Sequence, residues 1–152
     1  MENREVNYEG LDELSHRFAR KLFSAFPAWT RFARTINGAN GITGIQIEVV
    51  QDGSNRILQL STTADEITIR FEGWHTHVGP FLGIDIEESV ETAIRIIESL
   101  VSEETVVMVA YRDGKWIGSS LSYRVAPSKP TPNSTTKIFS WRGTYDDAVQ
   151  NP

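Results

Sequence analysis

The sequence predicts an α+β domain with a mainly antiparallel sheet of five to six strands, an N-terminal helix and one helix packed across the sheet, in the order α-β-β-β-α-β-β-β. Three features carry that prediction. Apolar residues recur at three- and four-residue spacings near the N-terminus and again over residues 86–101, and they recur at a spacing of two between residues 45 and 71. The segments with spacing two are joined by connections too short for a parallel crossover.

The first helix is read over residues 10–26, GLDELSHRFARKLFSAF, where Leu11, Leu14, Phe18, Leu22 and Ala25 share one face. Pro27 disfavours helical geometry at Phe26 and ends it there. His16, Arg17, Arg20 and Lys21 project away from that stripe toward solvent. Trp29, Phe32, Ala33 and Ile36 repeat the helical spacing, so another turn or two is expected before Asn37-Gly38 and Asn40-Gly41 stop it.

From Ile45 the period is two. Ile45, Ile47 and Val49 alternate with Gln46 and Glu48, a turn falls at residues 52–55, and residues 57–60 and 67–71 follow as strands. Ile67, Ile69 and Phe71 mark the core face of the third strand. The second helix is the best defined. Asp85 with Glu88 three residues on is a carboxylate variant of the capping box, and Ile86, Val90, Ala93, Ile94, Ile97, Leu100 and Val101 hold one face for about four turns. The opposite face carries Glu87, Glu88, Glu91 and Glu98 with Arg95 alone among them, and Glu91 and Arg95 are spaced for an i,i+4 pair.

Residues 105–111, TVVMVAY, are apolar on both faces, as a covered central strand requires. Asp113-Gly114 is the strongest hairpin turn in the chain, since a tight type I′ turn needs positive φ at both centre residues. KWIGSSLSY, residues 115–123, returns from it. A loop holding Pro127, Pro130 and Pro132 comes next, and residues 136–143 supply a last strand. Too little chain follows the prolines for a second domain, so residues 1–152 are read as one.

Composition narrows the function classes. There are no cysteines, which removes disulfides and thiolate chemistry. The N-terminus lacks the apolar run of a signal peptide, and no apolar run approaches the roughly 20 residues of a membrane span, so the expectation is a cytoplasmic protein with no membrane partner. A net charge of -5 without a long basic run argues against nucleic acid and for a basic partner, if any.

FEGWHTHVGPF, residues 71–81, holds two of the three histidines in the chain. If the third strand runs on unbroken, His75 and His77 share the face of Ile67 and Phe71; if Gly73 is a bulge, Trp74, Thr76 and Val78 turn inward and the histidines face solvent. The apolar character of Trp74 and Val78 favours the bulge. A His-x-His pair can offer two imidazoles to a divalent ion, but a site needs further ligands, and Asp85 and Glu88 are already assigned to capping. No metal and no other cofactor is therefore expected. Ser119, Ser120 and Ser122 lack the G-x-S-x-G elbow, no phosphate-binding Gly-rich loop is present, and Asp146 and Asp147 read as a solvated terminus. No catalytic set emerges. Trp74, Phe81, Trp116 and Trp141 lie in or beside strands, where aromatics serve either as core or as binding anchors.

Taken together, GWHTHVGPF, a helix, VAYRDGKWIGSSL and SWRG resemble a group of small bacterial immunity proteins found with polymorphic or contact-dependent toxin systems, over about residues 71–143. The resemblance implies a non-catalytic antitoxin that binds its toxin directly, and it transfers no contact residue. The candidate partner-binding residues are Glu87, Glu91 and Glu98, with Trp74, His75 and His77 as a second patch. A secretion chaperone of type III-like kind is a second expectation; it would form a homodimer through residues 86–101 or the 105–123 hairpin. A metal-dependent enzyme using His75 and His77 is a third.

Overall fold

The structure, a computed structural model, describes residues 6–38 and 41–152. Among them are helices α1 (Glu13–Ala25) and α2 (Ile86–Val101), and 3₁₀ turns at Pro27–Phe32 and Pro80–Leu82. The strands are β1 (Ala33–Gly38), β2 (Gly41–Val50), β3 (Ile57–Thr62), β4 (Ile67–Phe71), β5 (Trp74–Val78), β6 (Thr105–Arg112), β7 (Lys115–Tyr123), β8 (Ser134–Phe139) and β9 (Asp147–Asn151). One sheet has the order β1-β2-β3-β4-β5 and the other β7-β6-β8-β9. The fold is thus α+β with antiparallel sheets and an N-terminal helix, as the periodicity requires; the strands number nine in two sheets rather than five to six in one.

The chain gathers into two compact units. The first comprises Met1–Val49, Leu58–Ile69 and Thr76–Ile96, and the second Val50–Ile57, Arg70–His75 and Ile97–Pro152.

In the first unit, Asp12 caps α1 by accepting from the Ser15 N–H at 2.9 Å, which satisfies one of the donors that a helix start leaves unpaired. Leu14, Phe18, Ala19, Leu22 and Phe23 are buried along one face, while Ala25, assigned to that face in the sequence, is exposed. The expected helical continuation is a 3₁₀ turn that gives way to β1. Its residues pair with β2, Ala33 opposite Ile47 and Thr35 opposite Ile45, and that backbone pairing outweighs a helical spacing whose side chains are only half-buried. Asn40, expected in the second turn signal, lies outside the described residues. Where β2 and β3 run side by side, the hydroxyl of Thr62 stands 2.6 Å from Ser15 Oγ and accepts from the Ile45 N–H at 3.0 Å, a polar group buried only because its partners are buried with it.

In the second unit, β6 is the central strand, with Thr105 through Ala110 all buried. Val109 lies opposite Ser119 of β7 and Lys137 of β8. The turn between β6 and β7 places Asp113 at φ 51° and Gly114 at φ 73°, the two positive values that a type I′ hairpin demands. β9 was not expected. Its side chains are nearly all exposed, so it carries no hydrophobic period, and it is held by ladder pairing with β8 from Asp147 opposite Ile138 to Asn151 opposite Ser134.

Candidate functional site

The stretch FEGWHTHVGPF forms a hairpin end and a strand. Glu72, at φ 51°, and Gly73 make the turn from β4 into β5, so Gly73 ends one strand and opens another instead of bulging a continuous one. The parity nevertheless follows the expectation. Trp74 and Val78 are buried, at 8% and 3% exposure, and His75 and His77 are exposed. Trp74, grouped with the histidines as a binding residue in the sequence, packs into the interior and leaves little surface.

His77 sits in a local polar group. Its Nδ1 is 3.1 Å from Glu66 Oε1 and 3.1 Å from Thr68 Oγ1. Among the described residues, no three His, Cys, Asp or Glu side chains come together in a way that could hold a metal ion. Gly79 then lets the chain pass Asp65: a Cβ there would lie well under 3.0 Å from the Asp65 carbonyl oxygen, so this corner admits no side chain.

α2 presents the other candidate surface. Asp85 Oδ1 accepts from the Glu88 N–H at 2.8 Å, closing the cap expected from sequence. Val90, Ala93, Ile94, Ile97 and Leu100 are buried, and Glu87, Glu88, Glu91, Arg95 and Glu98 are exposed. At about 100° per residue the five exposed positions fall within an arc of roughly 100°. The expected Glu91–Arg95 pair is not made; Arg95 Nη2 donates to Thr92 Oγ1 at 3.3 Å. Among the described residues, none of the four glutamates stands in an ion pair.

The strongest electrostatic cluster is one that sequence inspection missed. Arg56 Nη1 donates to Asp146 Oδ1 at 2.7 Å and to the Ser140 carbonyl at 2.5 Å, Nη2 pairs with Asp146 Oδ2, and Nε is 3.5 Å from Glu72 Oε1. The Asp146 hydrogen bond raises the Arg56 guanidinium above its ordinary value, and the same bond holds the Asp146 carboxyl below the usual range. Asp146 Oδ1 also accepts from the Ser140 N–H at 2.9 Å, so it is a structural acid and not a solvated terminus. The Glu103 carboxylate likewise finds its partners far along the chain. It is 1% exposed; burial works to raise its carboxyl, but hydrogen bonds from Thr144 and from the Arg142 N–H, the latter at 2.6 Å, hold it below the usual range. Each of these groups is satisfied by its neighbours, which fits holding loops together better than chemistry on a substrate. Arg56 and Asp146 are ninety positions apart, and no local signal in the sequence links them.

The aromatics divide. Trp141 is buried, with its ring centroid 5.8 Å from that of Phe71, whereas Phe81 and Trp116 are each 56% exposed. Ser119 and Ser120 lie half-buried within β7. Ser122 is buried, where its Oγ accepts from the Ser128 N–H. None of the three sits at a strand-to-helix turn. Among the described residues no helix is long and apolar enough to cross a membrane. Comparison with protein-family models, curated proteins and solved structures finds no match.

Proposed function

We propose that this chain is a non-catalytic binding protein of immunity type, which neutralises a cognate toxin by holding it directly, and that its contact surface is the outer face of α2 against a basic partner. The observation that carries this is the unpaired acidity of that face. Glu87 and Glu88 in the first turn favour the helix, since the positive end of its dipole lies there. Glu91 and Glu98 have no such use. Glu91 forgoes the available pair with Arg95, and Glu98 stands in the last turns, where a negative charge opposes the dipole and no basic residue offsets it. Charges kept against the helix's own electrostatics are well suited to steering and orienting a positively charged partner. The likeness of residues 71–143 to immunity proteins supports the same reading.

Co-expression with the product of the neighbouring gene tests it. The two proteins should co-purify, and the chain should relieve that product's toxicity. The double reversal Glu87→Lys/Glu91→Lys should weaken the complex at least about tenfold, the effect of two rim charges at roughly 0.7 kcal/mol each, while leaving the circular dichroism spectrum unchanged. A complex equally tight with the reversed variant would show that α2 is not the contact, and no complex at all would remove the immunity reading.

A further inference from the structure

We infer that the free edge of β7 is a docking site for an extended acidic peptide, which adds to the four-stranded sheet as a further strand. β7 lies at the sheet's edge, so every second residue turns its N–H and C=O away from β6 with no strand to receive them. Among the described residues no backbone hydrogen bond from another segment reaches Lys115 through Ser122 on that side. Edge strands of stable proteins are normally shortened, charged or interrupted to prevent such pairing. The other three edges follow that rule. β1 is six residues long, carries Arg34 and shifts register at Ile36/Asn37; β5 and β9 have five residues each, with two histidines in one and Asp147 in the other. β7 shares with β1 one charge, Lys115 at its start, and one register shift, beside Ile117, but it runs for nine residues, and Gly118 through Tyr123 beyond the shift carry no charge. Gly118, Ser119 and Ser120 at its middle allow close approach of another backbone.

Two further features point to an occupant. Trp116 and Ile117 are exposed at 56% and 38%, and the Trp116 indole N–H donates to the Gly73 carbonyl at 3.2 Å, so the ring is held in place before any partner arrives. Over the sheet face next to β7 lies a cavity of about 320 Å³, lined by Met108 and Ala110 of β6, Gly118 and Ser120 of β7, Thr136 of β8, and Lys129 of the following loop. A strand laid along β7 would turn alternate side chains to the face on which that cavity opens. Charge selects the occupant. β7 and the loop that follows it, residues 115–133, carry Lys115, Arg124 and Lys129 and no acid, although the whole protein is at -5. A second copy pairing through β7 would set this acid-free stretch against its own bases, whereas an acidic strand is complementary to it.

The test uses two capped, fluorescein-labelled dodecapeptides, threonine alternating with glutamate in one and with lysine in the other, added to the intact protein. The glutamate peptide should bind and slow amide hydrogen exchange within Trp116–Leu121. The lysine peptide should bind at least about tenfold more weakly, as should the glutamate peptide to Lys115→Glu/Lys129→Glu, since each exposed charge contributes a few-fold. A glutamate peptide N-methylated along its centre should not bind, because strand addition needs its N–H groups. Equal binding of both charge forms, undiminished binding of the N-methylated form, or protection confined to other amides would overturn the inference. Self-association that protects the same amides without peptide would overturn it in favour of a dimer.

Discussion

At the scale of single residues, the polar groups with the strongest electrostatic ties are those that hold loops together. Arg56 has 16% of its side chain exposed and donates to Asp146 through both Nη atoms, so removing either partner strands the other in a place where water replaces it poorly. Arg56→Met and Asp146→Asn should each lower unfolding free energy by about 2 kcal/mol in urea titration, less than a fully buried pair because Asp146 is 36% exposed. The pH dependence has a definite sign. Asp146 and Glu103 both have folded values below the usual carboxylate range, so the unfolded chain takes up protons first as acid is added. Their stabilisation is therefore complete above about pH 4 to 5 and is lost progressively below it, and Asp146→Asn should flatten the acid limb of stability against pH. Gly79 makes a steric demand. Its φ of 178° is open to any residue, but a Cβ would run into the Asp65 carbonyl, so Gly79→Ala should cost about 2 kcal/mol or more in the same titration.

At the scale of elements, α2 allows stability to be tested apart from the proposed binding. Asp85→Ala removes the acceptor of the Glu88 N–H and should cost about 1 kcal/mol of thermal or urea stability. Glu98→Lys should do the reverse: a positive charge near the helix C-terminus should stabilise by roughly 0.3–1 kcal/mol, while weakening capture of a basic partner. A variant that is both more stable and a poorer binder would be hard to explain if Glu98 were a mere solvated surface residue; unchanged binding would remove Glu98 from the contact set. The elements also show how far sequence patterns reach. α1, α2 and the β6–β7 hairpin are legible because each has a strong local cause: an apolar stripe with an Asp cap, or an Asp-Gly pair at positive φ. β1 and β9 are not. Their side chains lie half-buried or exposed, so they show no period of two, and they are strands because β2 and β8 offer them ladder partners.

At the scale of the whole molecule, charge is segregated along the chain. Residues 85–104 hold seven acids and one base, and residues 112–137 hold five bases and one acid, a contrast that a net charge of -5 conceals. Capture of a basic partner should therefore weaken steeply between low salt and about 0.5 M, as the Debye length contracts from about 10 Å at 0.1 M toward 3 Å at 1 M. A titration of affinity against sodium chloride checks this, and a flat response would mean that the α2 carboxylates are not what the partner reads.

The sequence by itself determined the fold class, both helices and the Asp85 cap of the second, the central apolar strand and its hairpin, and the facing of Trp74 inward and His75 and His77 outward. Each of these follows from periodicity or turn chemistry acting over a few residues. Only the tertiary structure decided that Gly73 is a turn, that the strands sort into two sheets, that Asp146 answers Arg56, and that β7 is left as an open edge. Those outcomes depend on which distant segments meet, and the pairing of backbone and charge across tens of residues leaves no periodic trace in the chain.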